Sequence, residues 1–239
     1  MKAGIAFSAH SDASRAGREA ASRAVALSGP PRLAIVFTTD AYPPQIVLEA
    51  VLRETGEAKL VGFCCGGILA DDAWHPQGVG ICTLGGKIRV RTTLQSGLDR
   101  DPFDTGCRAA DALLTPGDAE GTLLVLPDGF EANLSELLRG LYSRFGAGFQ
   151  YVGGGAGDNL KFFKTYQFTD QGCASHAVAA AVIQGLNLVT RIGHGWVPMG
   201  DPLVMTRTRG KIVYEIDGMP AFEAYQQHLG PISREEFKA

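Results

Sequence analysis

The sequence shows little imbalance of charge and has no long apolar run. Its 239 residues carry a formal net charge of −3 at pH 7, and the Lys and Arg residues are scattered along the chain. Such a distribution lacks the basic patch by which proteins bind nucleic acid or an anionic membrane surface. No apolar segment approaches the roughly 18 residues of a membrane span, and residues 1–10 turn polar too early for a signal peptide. We therefore expect neither nucleic acid nor a membrane as a partner.

Cysteine is scarce, and the common catalytic motifs are absent. The five cysteines are an odd number without an export signal, which predicts a reducing compartment and a cytoplasmic protein. The P-loop motif, the Gly-x-Gly-x-x-Gly spacing of dinucleotide-binding folds and the Gly-x-Ser-x-Gly elbow of α/β-hydrolases do not occur. Cys64 and Cys65 are adjacent, so on a strand they point to opposite faces and do not form a metal site.

Glycine, by contrast, is concentrated in two loops. Four of the five residues in 153–157 are glycine, and the run begins after an apolar segment and ends at Asp158. Glycine is favoured where the backbone takes positive φ or lies close to another group. The run is therefore either a tight strand exit packed under another loop or a loop that contacts a ligand. The earlier segment 60–67, which ends in Gly66-Gly67, has the same form.

Hydrophobic periodicity and capping signals predict an α/β chain. Helices are predicted at 13–27, 43–56, 101–114, 133–146 and 220–229. Strands are predicted at 3–7, 33–37, 60–64, 78–84, 87–94, 122–126, 149–152, 164–169, 176–184, 187–192, 203–208 and 211–216. Gly85-Gly86 predicts a hairpin that joins 78–84 to 87–94, and Arg209-Gly210 predicts one that joins the last two strands. Asn133, with Glu136 three residues on, predicts a capping box.

A β-α-β-β-β unit occurs twice, over about 30–115 and about 120–197. Leu33-Ala-Ile-Val-Phe37 in the first unit matches Thr122-Leu-Leu-Val-Leu126 in the second, at an offset of about 90 residues. The repeat predicts an α/β fold in which two units form mixed sheets with the helices packed outside, related by a pseudo-twofold axis. The two glycine loops would then face each other. We expect a single domain over 1–230, closed by a hairpin and helix at 200–230, and a tail at 231–239.

Several segments in a fixed order carry a resemblance to a known family. They are Ser-x-x-Asp-Ala-x-x-Ala-Gly-x-x-Ala-Ala near the N-terminus, Leu33-Ala-Ile-Val-Phe37, Val61-Gly-Phe-Cys-Cys-Gly-Gly67, Val152-Gly-Gly-Gly-Ala-Gly-Asp158, Gly193-His-Gly-Trp-Val-Pro-Met-Gly200 and Glu215-Ile-Asp-Gly-Met-Pro-Ala221. Together they resemble the N-terminal half of the FIST domain, a sensory module of bacterial signal transduction that also occurs in some F-box proteins. The resemblance extends over about residues 3–228.

The resemblance implies an intracellular sensor of a small ligand, such as an amino acid or a similar metabolite, and no enzymatic activity. It also implies a signalling partner such as a kinase or cyclase. We expect the ligand where the glycine loops and Gly193–Gly195 converge. The expected ligand-binding residues are Cys65, Gly66, Gly67, Gly153, Gly154, Gly155, Asp158, His194 and Trp196. Members of the family usually continue into a C-terminal half that these 239 residues lack. A pocket shared between the two halves would be incomplete here.

One branch of the family is described as binding haem and sensing nitric oxide, which leaves a haem-based sensor as an alternative. Haem iron needs an axial ligand, most often a histidine. The candidates are His10, His75, His176, His194 and His228. His194, between two glycines, is the histidine best placed to reach a cavity, or it fills a strand exit. No Cys-x-x-Cys-His occurs, so covalent attachment of haem is excluded.

Several side chains allow two interpretations. Cys65 is either a buried small apolar residue or, if a histidine activates its thiol, the nucleophile of a cysteine-dependent hydrolase. Asp158 either accepts a ligand ammonium group or caps the following turn. Trp196 either lines a pocket or belongs to the core. Arg89 and Arg91 either bind a ligand carboxylate or form a solvated face.

Overall fold

The computed structural model describes residues 1–130, 133–186, 188–198, 200–231 and 235–236. The chain divides into two compact units, Met1–Thr190 and Arg191–Ala239.

Four helices of the first unit begin at the residues that the capping signals predict. They are α1 Ala13–Ser28, α2 Pro44–Thr55, α3 Pro102–Leu113 and α4 Leu134–Phe145. The Asp12 carboxylate accepts a hydrogen bond from the backbone N–H of Arg15, and Asp101 caps α3 in the same way. The predicted capping box of α4 does not form. Asn133 is the N-cap residue, but its φ of −72° and ψ of 88° leave its side chain without a capping hydrogen bond.

The strands of the first unit form two large sheets and a small hairpin. In chain order they are β1 Lys2–Ser8, β2 Leu33–Thr39, β3 Lys59–Cys65, β4 Ile68–Ala70, β5 Ala73–His75, β6 Val79–Gly85, β7 Arg89–Ser96, β8 Gly121–Pro127, β9 Phe149–Gly153, β10 Gln167–Thr169, β11 Gly172–Ala174 and β12 Ala177–Gln184. The first sheet has the order β1-β6-β2-β3-β10-β11, and the second sheet has the order β7-β12-β8-β9. Strands β4 and β5 pair with each other.

The predicted hairpin of 78–94 is wrong, although both of its strands exist. Strand β6 pairs with β1 on one side and with β2 on the other, so neither of its edges is free for β7. Strand β7 instead pairs with β12 in the second sheet. The turn at Gly86, whose φ is 121°, therefore leads from one sheet to the other. Ile88, just beyond it, is buried between the sheets.

The two sheets share one connectivity. In the first sheet, β1-α1-β2-α2-β3 is followed by the β4–β5 hairpin and then by β6. Along the chain of the second set, β7-α3-β8-α4-β9 is followed by the β10–β11 hairpin and then by β12. The β10–β11 hairpin itself pairs with β3 in the first sheet. Strands β2 and β3 are parallel, as are β8 and β9. Strands β6 and β12 each run antiparallel to both of their neighbours in this arrangement. The two matching series of elements therefore begin at β1 and at β7. Each begins one strand and one helix before the corresponding unit predicted from the sequence.

Buried side chains define four layers. Helices α1 and α2 pack on one face of the first sheet, and α3 and α4 pack on one face of the second. The remaining faces of the two sheets meet in a third cluster that contains Leu33, Val61, Leu126 and Ile183. All eight residues of β12 are buried, because this strand is covered on both faces. The predicted mixed α/β architecture with external helices is confirmed.

In the second unit, a small three-stranded sheet precedes a helix. Strands β13 Arg207–Arg209, β14 Ile212–Ile216 and β15 Met219–Pro220 precede α5 Ala221–Leu229. The hairpin predicted at Arg209-Gly210 is present, with Arg209 opposite Ile212. The strand predicted at 187–192 does not occur in residues 188–192, and Asn187 lies outside the described residues. Within the part of the chain that the structure describes, no helix has the length and apolar character needed to cross a membrane.

Candidate functional site

Two cavities lie at matching places in the two sheets. Each is at the carboxyl ends of a parallel strand pair and beside the start of the helix that joins the two strands. In open α/β sheets this is where ligands usually bind. The cavity at β2 and β3 measures about 240 Å³, as does the cavity at β8 and β9. Their linings differ, and we call them the polar cavity and the apolar cavity.

The polar cavity collects charged and hydroxyl-bearing side chains. Its lining residues are Asp40, Tyr42, Pro44, Cys64, Asp158, Lys161, Phe163, Lys164 and Tyr166. The Lys161 ammonium lies 2.5 Å from the Asp40 carboxylate, and this hydrogen bond raises the pKa of Lys161. The Lys164 ammonium lies 4.9 Å from the centre of the Tyr166 ring. Two acidic and two basic side chains, Asp40, Asp158, Lys161 and Lys164, therefore border a space of the size of a small metabolite.

Asp158 organises the loop that closes one side of the polar cavity. Its side chain is 2% exposed, and its carboxylate accepts hydrogen bonds from the backbone N–H groups of Phe162, Phe163 and Lys164 at 2.7–3.0 Å. Burial alone would raise the pKa of Asp158, but the N–H groups of Phe163, Lys164 and Phe162 outweigh it and hold the pKa below its ordinary value. Asp158 thus caps the following turn, which is one of the two roles that its sequence position allows.

The loop held by Asp158 has a constrained backbone. Asn159, Leu160 and Phe162 have φ values of 59°, 60° and 52°, in the left-handed region that side-chain-bearing residues rarely adopt. Each such residue costs on the order of 1–2 kcal/mol. The hydrogen bonds to the Asp158 carboxylate offset this cost. The apolar side chains of Leu160, Phe162 and Phe163 in this loop are exposed to solvent.

The two glycine loops meet beside the polar cavity. The Gly157 N–H donates to the Cys64 carbonyl oxygen at 3.0 Å. A Cβ on Gly66 would lie 3.3 Å from the backbone of Asn159, so the loops pack closely here. The Tyr166 N–H contacts Cys64 Sγ at 3.0 Å, and burial raises the pKa of the Cys64 thiol to about 12. Cys64 is therefore a neutral packing residue.

Gly62 in β3 and Gly153 in β9 pack closely against the neighbouring parallel strand, whereas Gly154 does not. A Cβ on Gly153 would lie 1.8 Å from the carbonyl oxygen of Val125, and one on Gly62 would lie 2.1 Å from that of Val36. These two glycines allow each parallel pair to approach closely. Gly154 differs from both, because a Cβ there would have no neighbour within 4 Å.

The apolar cavity lies under the second glycine loop. Its lining residues are Val125, Pro127, Leu134, Leu137, Leu138, Tyr151, Val152, Gly153, Gly154 and Gly155. The Tyr151 hydroxyl donates to the Gly146 carbonyl oxygen at 3.0 Å, and burial raises the pKa of Tyr151 to about 12. Tyr151 thus presents a fixed, neutral ring to the cavity.

The residues predicted to bind a ligand are distributed over several places. Gly153, Gly154 and Gly155 line the apolar cavity, and Asp158 lines the polar cavity. Cys65, Gly66 and Gly67 lie next to the polar cavity but are not part of its lining; Gly67 packs against the Trp74 indole. His194 and Trp196 belong to the second unit, where the Trp196 side chain is 85% exposed and therefore not part of a core. Their role in ligand binding stays a prediction.

Sequence reasoning missed the charged residues of the polar cavity. Asp40 directly follows β2 and precedes the Pro43-Pro44 start of α2, so its position at a strand's carboxyl end was a usable signal. Lys161 and Lys164 carry no such signal, because their loop reaches Asp40 only through the tertiary fold.

The structure also shows which contacts the Arg91 side chain makes. Its guanidinium donates to the Leu113 carbonyl oxygen and pairs with Asp118, so it joins β7 to the loop after α3.

Cys65 lacks the features of a nucleophile. Its thiol donates to the Thr38 carbonyl oxygen at 3.5 Å, and burial raises the pKa of that thiol. A nucleophilic cysteine needs a lowered pKa and a base within hydrogen-bonding distance. The hydrolase alternative therefore has no support in the geometry around Cys65.

The residues of the two cavities do not fit a haem group. Neither lining includes a histidine, and each cavity is smaller than the roughly 300–1,000 Å³ of pockets for drug-sized ligands. His10 accepts a hydrogen bond from the Asp12 N–H, and His75 stacks on Phe7. Among the described residues there is no group of three or more His, Cys, Asp or Glu side chains that could hold a metal ion.

Fold and cavities together define a mixed α/β protein with two layered sheets and a cavity at the carboxyl end of each parallel strand pair. The model of the FIST N domain family matches residues 32–219. The chain therefore belongs to this family, whose domains act as sensors in signal transduction.

The chain is similar to uncharacterized relatives over different lengths. The uncharacterized protein Rv0628c of Mycobacterium tuberculosis is 26% identical over 230 residues, which cover 92% of this chain and 57% of the relative. The uncharacterized protein MJ1623 of Methanocaldococcus jannaschii is 31% identical over 84 residues, which cover 35% of this chain and 16% of the relative. The chain thus spans little more than half the length of the mycobacterial relative.

Proposed function

We propose that this chain is a sensory domain that binds a small zwitterionic metabolite, of amino-acid size, in the polar cavity and catalyses no reaction. One observation carries the proposal. Asp40, Lys161 and Lys164 border a cavity of about 240 Å³ at the carboxyl ends of β2 and β3. Charges of both signs around a small space match a ligand that carries both an ammonium group and a carboxylate.

The ion pair between Lys161 and Asp40 provides a mechanism for sensing. A ligand ammonium replaces Lys161 as the partner of Asp40, and the released Lys161 binds the ligand carboxylate. Lys161 belongs to the constrained loop that exposes Leu160, Phe162 and Phe163. Movement of Lys161 therefore changes the placement of these apolar side chains. A signalling partner, such as a kinase or cyclase, would detect that change.

Isothermal titration calorimetry with the proteinogenic amino acids tests the proposal. We expect saturable heat with at least one ligand and a loss of roughly tenfold or more in affinity in Lys161→Ala, since a charge-assisted contact is removed. Lys87→Ala, which removes an exposed lysine outside both cavities, is the matched control and should bind like the wild type. Absence of heat across the panel, or equal loss in both variants, would refute the polar cavity as the ligand site.

We further propose that the two sheets arose by internal duplication and are related by a pseudo-twofold axis. Their common connectivity supports this, as does the equivalent packing of Gly62 on Val36 and Gly153 on Val125. An experimental structure tests the proposal by superposition of residues 2–85 on residues 89–184. Failure of β1, β2, β3 and β6 to superpose on β7, β8, β9 and β12 would reject it.

A further inference from the structure

None of the charged residues proposed to bind a zwitterion lines the apolar cavity. This cavity nevertheless occupies the equivalent place in the second sheet. We propose that it is a second ligand site, which takes a neutral aromatic molecule of about one or two rings. This inference concerns a different cavity and does not depend on the ligand of the polar cavity.

The leucines of α4 provide the first argument. Leu138 is the fifth residue of α4 and is 44% exposed, whereas Leu48, the fifth residue of α2, is 2% exposed. Leu134 also lines the cavity and is partly exposed. The floor of the same cavity is formed by the buried Val125 and Leu137. Apolar side chains therefore continue from the core to the surface at a concave place, and such surfaces mark binding sites.

The chemistry of the lining defines the class of ligand. Tyr151 is the only ionisable residue among the lining residues, and its hydroxyl is bonded to the Gly146 carbonyl oxygen. A charged ligand would lose its hydration without gaining a partner. The Tyr151 ring, fixed by this bond and 6.0 Å from the Tyr142 ring, offers an aromatic wall. Aromatic rings favour such offset or edge contacts with a second ring.

The glycine loop keeps the cavity open. At Gly154, an added Cβ would have no protein atom within 4 Å, so the backbone itself forms this wall. The loop is held in place by hydrogen bonds from the Gly154 N–H to Val125 and from the Ala156 N–H to Pro127. The opening is thus maintained by the fold and needs no rearrangement to admit a planar molecule.

Indole is a suitable probe, because it is neutral, aromatic and small enough for about 240 Å³. Its binding is followed by calorimetry and by nuclear Overhauser effects between indole protons and the protein. We expect saturable binding of one indole with contacts to Tyr151 and Leu138. In Leu138→Arg, which places a charge at the wall, the affinity should fall at least tenfold.

Ile46→Arg is the matched control, because Ile46 lies on α2 and is also 44% exposed but lines neither cavity. It should bind indole as the wild type does. Absence of saturable binding to the wild type, or an equal loss in both variants, overturns the proposal. Urea unfolding of both variants shows that each is folded, and Gly154→Leu, which fills the opening from the opposite wall, provides a second test that leaves α4 unchanged.

Discussion

The polar and apolar cavities occupy equivalent places in the two sheets but differ in the chemistry of their linings. The polar cavity carries Asp40 after β2, and the chain between β9 and β10 supplies Lys161 and Lys164. At the apolar cavity, Pro127 ends β8, and the half-exposed leucines of α4 form the wall. The scaffold thus determines where a cavity lies, while a few side chains at strand ends and in the inserted loops determine what it can bind. Four predictions test this comparison, beginning with the largest effect.

The first prediction concerns the glycines that bring each parallel pair together. Gly153→Ala should cost at least about 3 kcal/mol of folding free energy, because the new Cβ would lie 1.8 Å from the Val125 carbonyl oxygen. Gly62→Ala should cost a similar amount through its contact with Val36. Gly154→Ala, with no neighbour within 4 Å, should stay within about 0.5 kcal/mol of the wild type. Urea denaturation measures all three, and equal stability of the variants at 153 and 154 would contradict the assigned roles.

The second prediction compares the same position in α2 and α4. Leu48→Ala should destabilise the protein by about 2–5 kcal/mol, because a fully packed leucine leaves a cavity. Leu138→Ala should cost about 1 kcal/mol or less, since 44% of this side chain is already exposed. Chemical denaturation of the two variants gives the comparison. Similar losses would show that Leu138 is core and that the apolar cavity is closed.

The third prediction tests the loop beside the polar cavity. Asp158→Asn keeps the size of the side chain but removes the charge from the hydrogen bonds to Phe162, Phe163 and Lys164. We expect a loss of about 1.5–3 kcal/mol, as for hydrogen bonds to charged groups. Hydrogen exchange at these three amides should accelerate, whereas amides of β8 near the apolar cavity should exchange as before. Unchanged exchange at the three amides would show that the carboxylate does not hold the loop.

The fourth and smallest effect is the pH dependence of that loop. The folded state lowers the pKa of Asp158, so the stabilisation is present above the unfolded pKa near 3.9 and is lost as the pH falls through the folded pKa. The wild type should therefore lose stability below about pH 4 more steeply than Asp158→Asn. The pKa of Asp170 is also lowered, mainly by Lys59 and Thr92 against burial, so the variant should retain part of the slope. If the stability of the wild type and that of Asp158→Asn changed with pH in the same way, the result would contradict this role of Asp158.

Local features of the fold were predictable, because their causes lie within a few neighbouring residues. Asp12 and Asp101 cap α1 and α3 at the expected positions, and Gly29 and Gly56 end α1 and α2. The pairing of β6 and β7 was not predictable in the same way. Gly85-Gly86 resembles a hairpin turn, but β6 is already bonded on both edges to β1 and β2. The partners of β6 in β2 lie 41–51 residues earlier in the chain, from Thr38 opposite Val79 to Leu33 opposite Leu84.

By itself the sequence determined the family, the α/β class and the boundaries of the helices. These depend on periodicity, capping and backbone conformation, which act over short distances. Only the tertiary structure decided that a Cβ at Gly153 would meet Val125 while one at Gly154 would meet no neighbour, since both are glycines in one run. Likewise, only the tertiary structure brought Lys161 to Asp40. This ion pair forms because the loop between β9 and β10 reaches the carboxyl end of β2 in the first sheet. The chemistry of each cavity is therefore a property of packing between distant segments.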